Sequence, residues 1–308
     1  MNMSNRCWVV GSAILDTVYS VPHLPQPGES VLAALVQQFL GGKGVNQAIA
    51  AARSGAPTEL LVALGEDTGA TRFKELFAVE PNLFAKITTL PDHPTGQASI
   101  TIDPTGRNQI TVFPGANMHL SSSAIDQCEF SSGDFILCQN EVSDECLFAA
   151  SRAKNLIYNP APYRPFPTEI LNRCFAITPN ETEAAALTGV IPDTDKNLQL
   201  CANHLLQLGV QNVIITLGDR GAFFTNGIEQ HFFTAKNVEA VDTTAAGDVF
   251  NGALIAQLTL GMSITNSIQY AVAAATISVT RRGAVPSIPN RKEIEQFLQN
   301  WELPAKSF

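Results

Sequence analysis

Short apolar runs alternate with longer helical patterns along most of the chain, and no other feature restricts the possible folds as tightly. Residues 7–10, 60–64, 135–138, 155–158, 174–177 and 213–216 read as buried strands. Between them, residues 46–53, 70–77, 144–152, 181–187 and 197–208 carry helical patterns. Strands separated by helices run parallel, because each helix carries the chain back to the same end of the sheet. The expectation is an α/β fold with a mainly parallel sheet covered by helices. Two regions break the pattern. Residues 18–40 hold the turn Pro25-Gln26-Pro27-Gly28 before a β-like run, and residues 95–111 alternate around the hairpin turn Asp103-Pro104-Thr105-Gly106. They read as extra strands outside the parallel sheet, either a small β lid or two edge hairpins without a role. With no internal repeat, low-complexity stretch or linker, residues 1–308 read as one domain, with lid segments at about 17–40 and 95–113.

Composition excludes several function classes. The chain carries a net charge of −9, which argues against a nucleic-acid or membrane-surface partner but leaves room for an anionic substrate at a local site. Its six cysteines form no C-x-x-C pair and its five histidines no H-E-x-x-H, so neither a disulfide framework nor a structural zinc site is expected. The apolar run after Met1-Asn2-Met3-Ser4-Asn5-Arg6 is too short for a signal-peptide core, and no stretch approaches the ~20 apolar residues of a membrane span. A cytoplasmic protein is expected.

Residues 242–252 read Asp-Thr-Thr-Ala-Ala-Gly-Asp-Val-Phe-Asn-Gly. Phe250, Leu254 and Leu258 recur every four residues, Val249 and Ala253 lie beside them, and Gly261 supplies a stop. The turn 244–247 therefore sits at a helix N-terminus, whose first four N–H groups lack partners inside the helix and favour phosphate or developing negative charge. Asp248 lies in the first turn of that helix. An anion hole beside a carboxylate is what hydroxyl-to-phosphate transfer needs; the bland reading is a tight turn and an N-terminal helix charge.

Four further segments carry similar pairs of readings. Residues 41–46, Gly-Gly-Lys-Gly-Val-Asn, make a glycine-rich turn before a helix, from which Lys43 and Asn46 could donate to ligand oxygens, or a turn that serves packing. The turn lacks Walker A spacing, and the first strand lacks G-x-G-x-x-G. Asp16 stands just past the end of the first strand, placed to hold sugar hydroxyls or to cap a turn. Asn180 and Glu183 open a helix, either as caps or around a hydrated Mg²⁺. Residues 216–221, Thr-Leu-Gly-Asp-Arg-Gly, join two β-like runs as a nucleotide-edge loop or a plain hairpin.

Taken in order, these segments are similar to those of the PfkB carbohydrate kinases, and within them to the ribokinases. The resemblance rests on Gly-Gly-Lys-Gly-Val-Asn-Gln-Ala at 41–48, Asn-Pro-Ala-Pro at 159–162 and Thr-Pro-Asn-Glu-Thr-Glu at 178–183. Thr-Leu-Gly at 216–218, residues 242–252 and Thr-Arg-Arg-Gly-Ala-Val-Pro-Ser at 280–287 complete it. It implies a ribokinase-like three-layer α/β/α sandwich with a β lid, and a homodimer through that lid. It implies ATP, Mg²⁺ and transfer of the γ-phosphate to the primary hydroxyl of a pentose such as ribose or 2-deoxyribose. By position it implies Asp248 as base and Ala245, Ala246 and Gly247 as the anion hole. Asp16, Gly42, Lys43, Asn46 and Glu141 fall around the sugar with Asp248. Asn180, Thr216, Gly218, Gly221 and Gly247 fall at the nucleotide, and Glu183 where Mg²⁺ is organised through water. Asp242, Thr244, Ser278, Arg281, Gly283 and Ser287 match the loop pair that binds an activating monovalent cation, K⁺.

One position departs from the pattern. Ribokinases resemble Gly-Ser-x-Asn-x-Asp at the end of the first strand, with the Asn on sugar hydroxyls; here the segment is Gly11-Ser12-Ala13-Ile14-Leu15-Asp16. The side chain of Ile14 cannot hydrogen-bond; deoxyribokinase-like members also carry an apolar residue here, so a sugar lacking one hydroxyl, such as 2-deoxyribose, becomes a candidate. The competing readings are a nucleoside or fructose-type kinase on the same fold, a sugar-binding regulator without catalysis, and a nicotinamide dehydrogenase. Intact Asp248, Gly247, Asn180 and Glu183 argue against the regulator, and the absent phosphate fingerprint against the dehydrogenase.

Overall fold

The computed structural model describes residues 5–301. Residues 1–4 of the segment read as lacking a leader, and residues 302–308, lie outside the described residues. The strands are β1 (Cys7–Val10), β2 (Ile14–Ser20), β3 (Leu35–Gly41), β4 (Thr58–Leu64), β5 (Leu83–Thr89), β6 (Gly96–Ile102) and β7 (Asn108–Phe113). They continue with β8 (Phe135–Gln139), β9 (Leu156–Asn159), β10 (Cys174–Ile177), β11 (Asn212–Thr216), β12 (Ala222–Thr225) and β13 (Gln230–Phe233). The helices are α1 (Lys43–Arg53), α2 (Thr68–Val79), α3 (Ser122–Asp126), α4 (Asp144–Ala150) and α5 (Glu181–Thr188). After them come α6 (Asp195–Gln207), α7 (Ala246–Thr259), α8 (Ile264–Ser278) and α9 (Arg291–Gln299).

One sheet has the order β13-β12-β11-β10-β9-β8-β1-β4-β5. Its strands are parallel from β11 to β5, and β12 and β13 add an antiparallel edge. Alternate residues feed two cores. Val9, Leu60, Leu137 and Ile214 join the cluster of α1, α7 and α8, whereas Trp8, Leu61, Ile136 and Ile215 join the cluster of α4 and α6. Chain order reverses between β1 and β8, and in open α/β sheets ligands bind beyond the strand ends at such a point.

A second sheet has the order β3-β2-β6-β7. Only residues 11–13 separate β1 from β2, so the chain passes from one sheet directly into the other. Asp16 is therefore a strand residue of the smaller sheet, not a turn residue after β1, and Ile14 shares its face. Leu35, Val36, Ile110, Val112 and Phe113 of this sheet are each about half exposed.

Helix α1 starts at Lys43, earlier than the expected residue 46. Gly42 is its N-cap at φ 93, and a Cβ there would lie 2.7 Å from Ile14 N. Only glycine fits, which brings the helix start onto the β1–β2 junction. Helices α1 and α7 pack closely for a related reason. A Cβ on Gly252 would lie 2.3 Å from Gln47 O and 2.6 Å from Ala50 Cβ. This near contact sets Asn46 and Gln47 against the first turn of α7. Among the described residues no helix is long and apolar enough to cross a membrane, and all six cysteines are free thiols.

Candidate active site

Asp248 sits in the first turn of α7 and is 6% exposed. Its Oδ2 accepts from Asn46 Nδ2 at 3.0 Å and its Oδ1 from Gln47 Nε2 at 2.9 Å. Glu141, two residues past β8, accepts from Ser12 Oγ and from the Lys43 N–H at 3.0 Å. The start of α1 thus faces a carboxylate, as its dipole favours. Burial pushes the Glu141 carboxyl up, against the charge of Lys43 and those two hydrogen bonds. The Lys43 ammonium is held above its usual range, first by Asp248 and then by Glu141 and Glu183, against burial. Burial pushes Asp16 up to about 7, and the charges of Glu141 and Asp248 add to that. Three carboxylates, Asp248, Glu141 and Glu183, thus act on one lysine, and Asp16 lies within reach of two of them. The Asn46 Oδ1 atom is buried without a protein partner, and so is free to accept from a ligand hydroxyl.

The α7 N-terminus has the form the sequence led us to expect. Ala245 is its N-cap at φ 61, a left-handed conformation that costs an alanine roughly 1–2 kcal/mol. The Ala246 N–H closes a turn onto Thr243 O at 3.2 Å. The N–H groups of Gly247 and Asp248 have no partner among the described residues. A cavity of about 560 Å³ opens on Ala246 and Gly247, a volume suited to a small-molecule ligand. Asn180, Thr216, Gly218 and Gly221 form one wall, residues 235–238 and Ala240 another, and Phe250, Val272, Ala275 and Val279 an apolar floor. A parallel bridge joins Asn180 to Thr216, and residues 216–221 form the turn of the β11–β12 hairpin, so that segment is both a hairpin and a cavity edge.

Asn180 and Glu183 make a capping box on α5. Glu183 N donates to Asn180 Oδ1 at 2.8 Å, and Asn180 N to Glu183 Oε2 at 2.9 Å. Burial pushes the Glu183 carboxyl up, opposed by the Asn180 N–H and Lys43 and reinforced by Asp248. The cap therefore also feels the site. Asp242, Thr244, Ser278, Arg281, Gly283 and Ser287 lie apart, on the loop before α7 and on the segment from the last residue of α8 to a short 3-10 turn, which Asp242 joins. Asp242 accepts from Thr244 N at 2.9 Å and from Gly283 N at 2.8 Å, and its own N–H reaches Val279 O at 3.1 Å. Burial raises the Asp242 carboxyl, but its hydrogen bonds from Thr244 and Gly283 outweigh that and hold it below the usual range. Arg281 turns away to Glu293. Ser278 and Ser287 are fully buried and donate to Ala275 O and Ala284 O, which leaves hydroxyl lone pairs free.

The family model for the pfkB carbohydrate kinases matches residues 4–291. The chain belongs to this family. It is 38% identical to a ribokinase of Haemophilus influenzae over 305 residues, covering 97% of this chain and 100% of that protein. It is 30% identical to a deoxyribokinase of Salmonella typhi, covering 94% of this chain and 97% of that one. Among solved structures, an Arabidopsis thaliana ribokinase complexed with ribose and ATP is similar with a TM-score of 0.89 at 29% identity, over 96% of this chain and 99% of that one.

Several residues of this pfkB-family kinase escaped the sequence reading. Gln47, Gln139, Asn159, Thr178 and Asn251 form a buried polar group beneath Asp248. Gln47, Asn159, Thr178 and Asn251 all lie inside the family-like segments, yet nothing in their spacing says which side chains meet. The wall at residues 235–238 and Ala240 and the α8 floor carry no sequence signal for a cavity.

Proposed function

We propose that this kinase transfers the γ-phosphate of ATP to the primary 5-hydroxyl of a pentose, ribose or 2-deoxyribose. One observation carries the reading: the Asp248 carboxylate is held by α1 amides beside free N–H groups that open on the cavity. In this reading Asp248 accepts the proton as the hydroxyl attacks phosphorus. The backbone at Ala245, Ala246 and Gly247 meets the charge on the transferring phosphoryl group. Ala246 already donates within the turn, so Gly247 carries more of that role. Asp16, Gly42, Lys43, Asn46 and Glu141 surround the sugar, and Asn180, Thr216, Gly218 and Gly221 border the nucleotide. The converging carboxylates suit a cation, and no group of three or more His, Cys, Asp or Glu side chains could hold one directly among the described residues. Mg²⁺ carried largely by water and phosphate fits that donor set, with Glu183 acting through water; when bound, it neutralises phosphate charge. K⁺ would be held by Asp242, Thr244, Ser278, Arg281, Gly283 and Ser287, Arg281 through its backbone; Asp242 ties the loops, and the buried serine hydroxyls keep lone pairs. The chain is read as one domain with the smaller sheet as lid, and the half-exposed apolar residues of that sheet support a homodimer through it. A cytoplasmic location follows the small-molecule substrates.

A coupled ADP-release assay over pentoses, hexoses and nucleosides, with and without K⁺, tests the reading. Turnover confined to nucleosides, or none with any acceptor, overturns it. Ile14 is 4% exposed, on the Asp16 face of β2. A ribose hydroxyl left unpaired against it costs ~1–3 kcal/mol. Accordingly, kcat/KM for 2-deoxyribose is expected to match or exceed that for ribose, with Ile14→Asn raising the ribose value roughly tenfold. A clear ribose preference, unchanged by Ile14→Asn, would sink the substrate assignment.

Asp16 supplies a pH prediction. Its carboxyl stands at about 7 against an ordinary 3.8. The fold disfavours its charge, so its contribution to stability is complete below the ordinary value and is lost as pH rises through about 7. Accepting from sugar hydroxyls on both carboxyl oxygens requires the ionised form, because the protonated one turns one acceptor into a donor. KM for the sugar is therefore expected to rise as pH falls through about 7, and Asp16→Asn to abolish that slope. Steady-state kinetics at saturating ATP across this range decide the point.

A further inference from the structure

We propose that Gln47 is the positioning residue of the Asp248 carboxylate, held in one orientation by buried amides that end on a main-chain carbonyl. This rests on the reading of Asp248 as the base. Gln47 is fully buried. Its Nε2 donates to Asp248 Oδ1 at 2.9 Å and to Asn159 Oδ1 at 3.1 Å, which uses both amide hydrogens. Its Oε1 accepts from Gln139 Nε2 at 2.6 Å. A flipped amide would set an oxygen against two acceptor oxygens and two NH₂ groups against each other. The same logic fixes the next link. Asn159 Nδ2 donates to Thr178 O at 3.0 Å, and a peptide carbonyl cannot exchange donor for acceptor. Thr178 O therefore sets Asn159, Asn159 sets Gln47, and Gln47 presents a donor to Asp248.

The chain also reaches the anion-hole side. Thr178 Oγ1 donates to Asn251 Oδ1 at 2.6 Å, and Asn251 Nδ2 to Gly247 O at 2.8 Å. Carboxylate and helix N-terminus are thus both tied to the end of β10. The two donors to Asp248 divide the work. Asn46 keeps an unpartnered oxygen for a ligand, whereas the amide of Gln47 has no group left for substrate. Gln47 acts through Asp248 alone, by holding the carboxylate plane against rotation while the hydroxyl approaches.

The test is a double-mutant cycle on the full chain. Gln47→Met is expected to lower kcat about tenfold or more, with calorimetric Kd values for sugar and ATP changed less than about threefold. In the Asp248→Asn background the same substitution should cost no further rate, because its route has been removed. Wild-type kcat in Gln47→Met, or an equal loss in both backgrounds, overturns the proposal. Gln139→Met, at the outer end of the chain, provides a milder second cycle should Gln47→Met fail to fold. It should lower kcat several-fold, again only with Asp248 present; equal loss in both backgrounds, or none in either, overturns the proposal. Near-normal turnover of Asp248→Asn alone would instead remove the base reading, so the two failures are distinguishable.

Discussion

Asp248→Asn is expected to lower kcat by ~10² or more while leaving sugar affinity nearly unchanged. The replacement keeps the volume of the side chain and one acceptor oxygen. It removes the atom that takes the hydroxyl proton and sets an N–H against one of the two α1 donors. Lys43 also loses the charge that contributes most to its raised pKa. The surface proposed for the sugar is otherwise kept, since Asp16, Asn46 and Glu141 remain. Single-turnover phosphoryl transfer, with sugar binding followed by calorimetry, separates the two effects. Near-normal turnover would refute the base assignment; a parallel collapse of sugar binding would show that Asp248 holds the site together rather than reacts.

Gly247→Ala is expected to move stability and activity in opposite directions. A Cβ at this position meets nothing within 4 Å, so packing tolerates the methyl group. Alanine in place of a helical glycine gains about 0.5–1 kcal/mol, which raises Tm by roughly 2 °C. The same methyl projects into the open space beside a free N–H at the cavity. Displacing the phosphoryl group by about 1 Å costs ~10² in kcat/KM for ATP. Thermal denaturation and steady-state kinetics on one preparation check both signs. A stabilised variant with undiminished turnover would sink the anion-hole assignment. Neither a positive φ nor a close approach to its Cα requires glycine here, and the position lines the cavity.

Some of this was legible in the order of residues. The strands at 7–10, 60–64 and 174–177 are fully or mostly buried apolar runs, and such runs announce themselves. β5 did not, because charged and polar residues interrupt it at a sheet edge where only one neighbour demands burial. The start of α1 was placed too late because its first turn is Lys-Gly, and the cap that justifies it is a close approach to Ile14 and Ser12. Asp16 carries two readings in the sequence, a sugar ligand or a turn cap, and its place in β2 is hidden because three residues suffice to pass from one sheet to another and nothing local marks that change. The Asn180 and Glu183 pair carried two readings, cap and site; a capping box and an electrostatic tie to Lys43 and Asp248 can both hold.

The sequence by itself determined the parallel sheet, the helix that begins beside Asp248 and the family to which the chain belongs. All three rest on local signals: apolar period, capping chemistry and short ordered motifs. Only the tertiary structure decided which polar groups meet. Gln47 and Asp248 are 201 positions apart, and no period or spacing connects them. They touch because Gly252 lets α7 settle onto α1 within contact of Gln47 and Ala50, and because the sheet reverses its order between β1 and β8. Contacts of that range arise from packing whole elements, so they appear only once the elements are assembled.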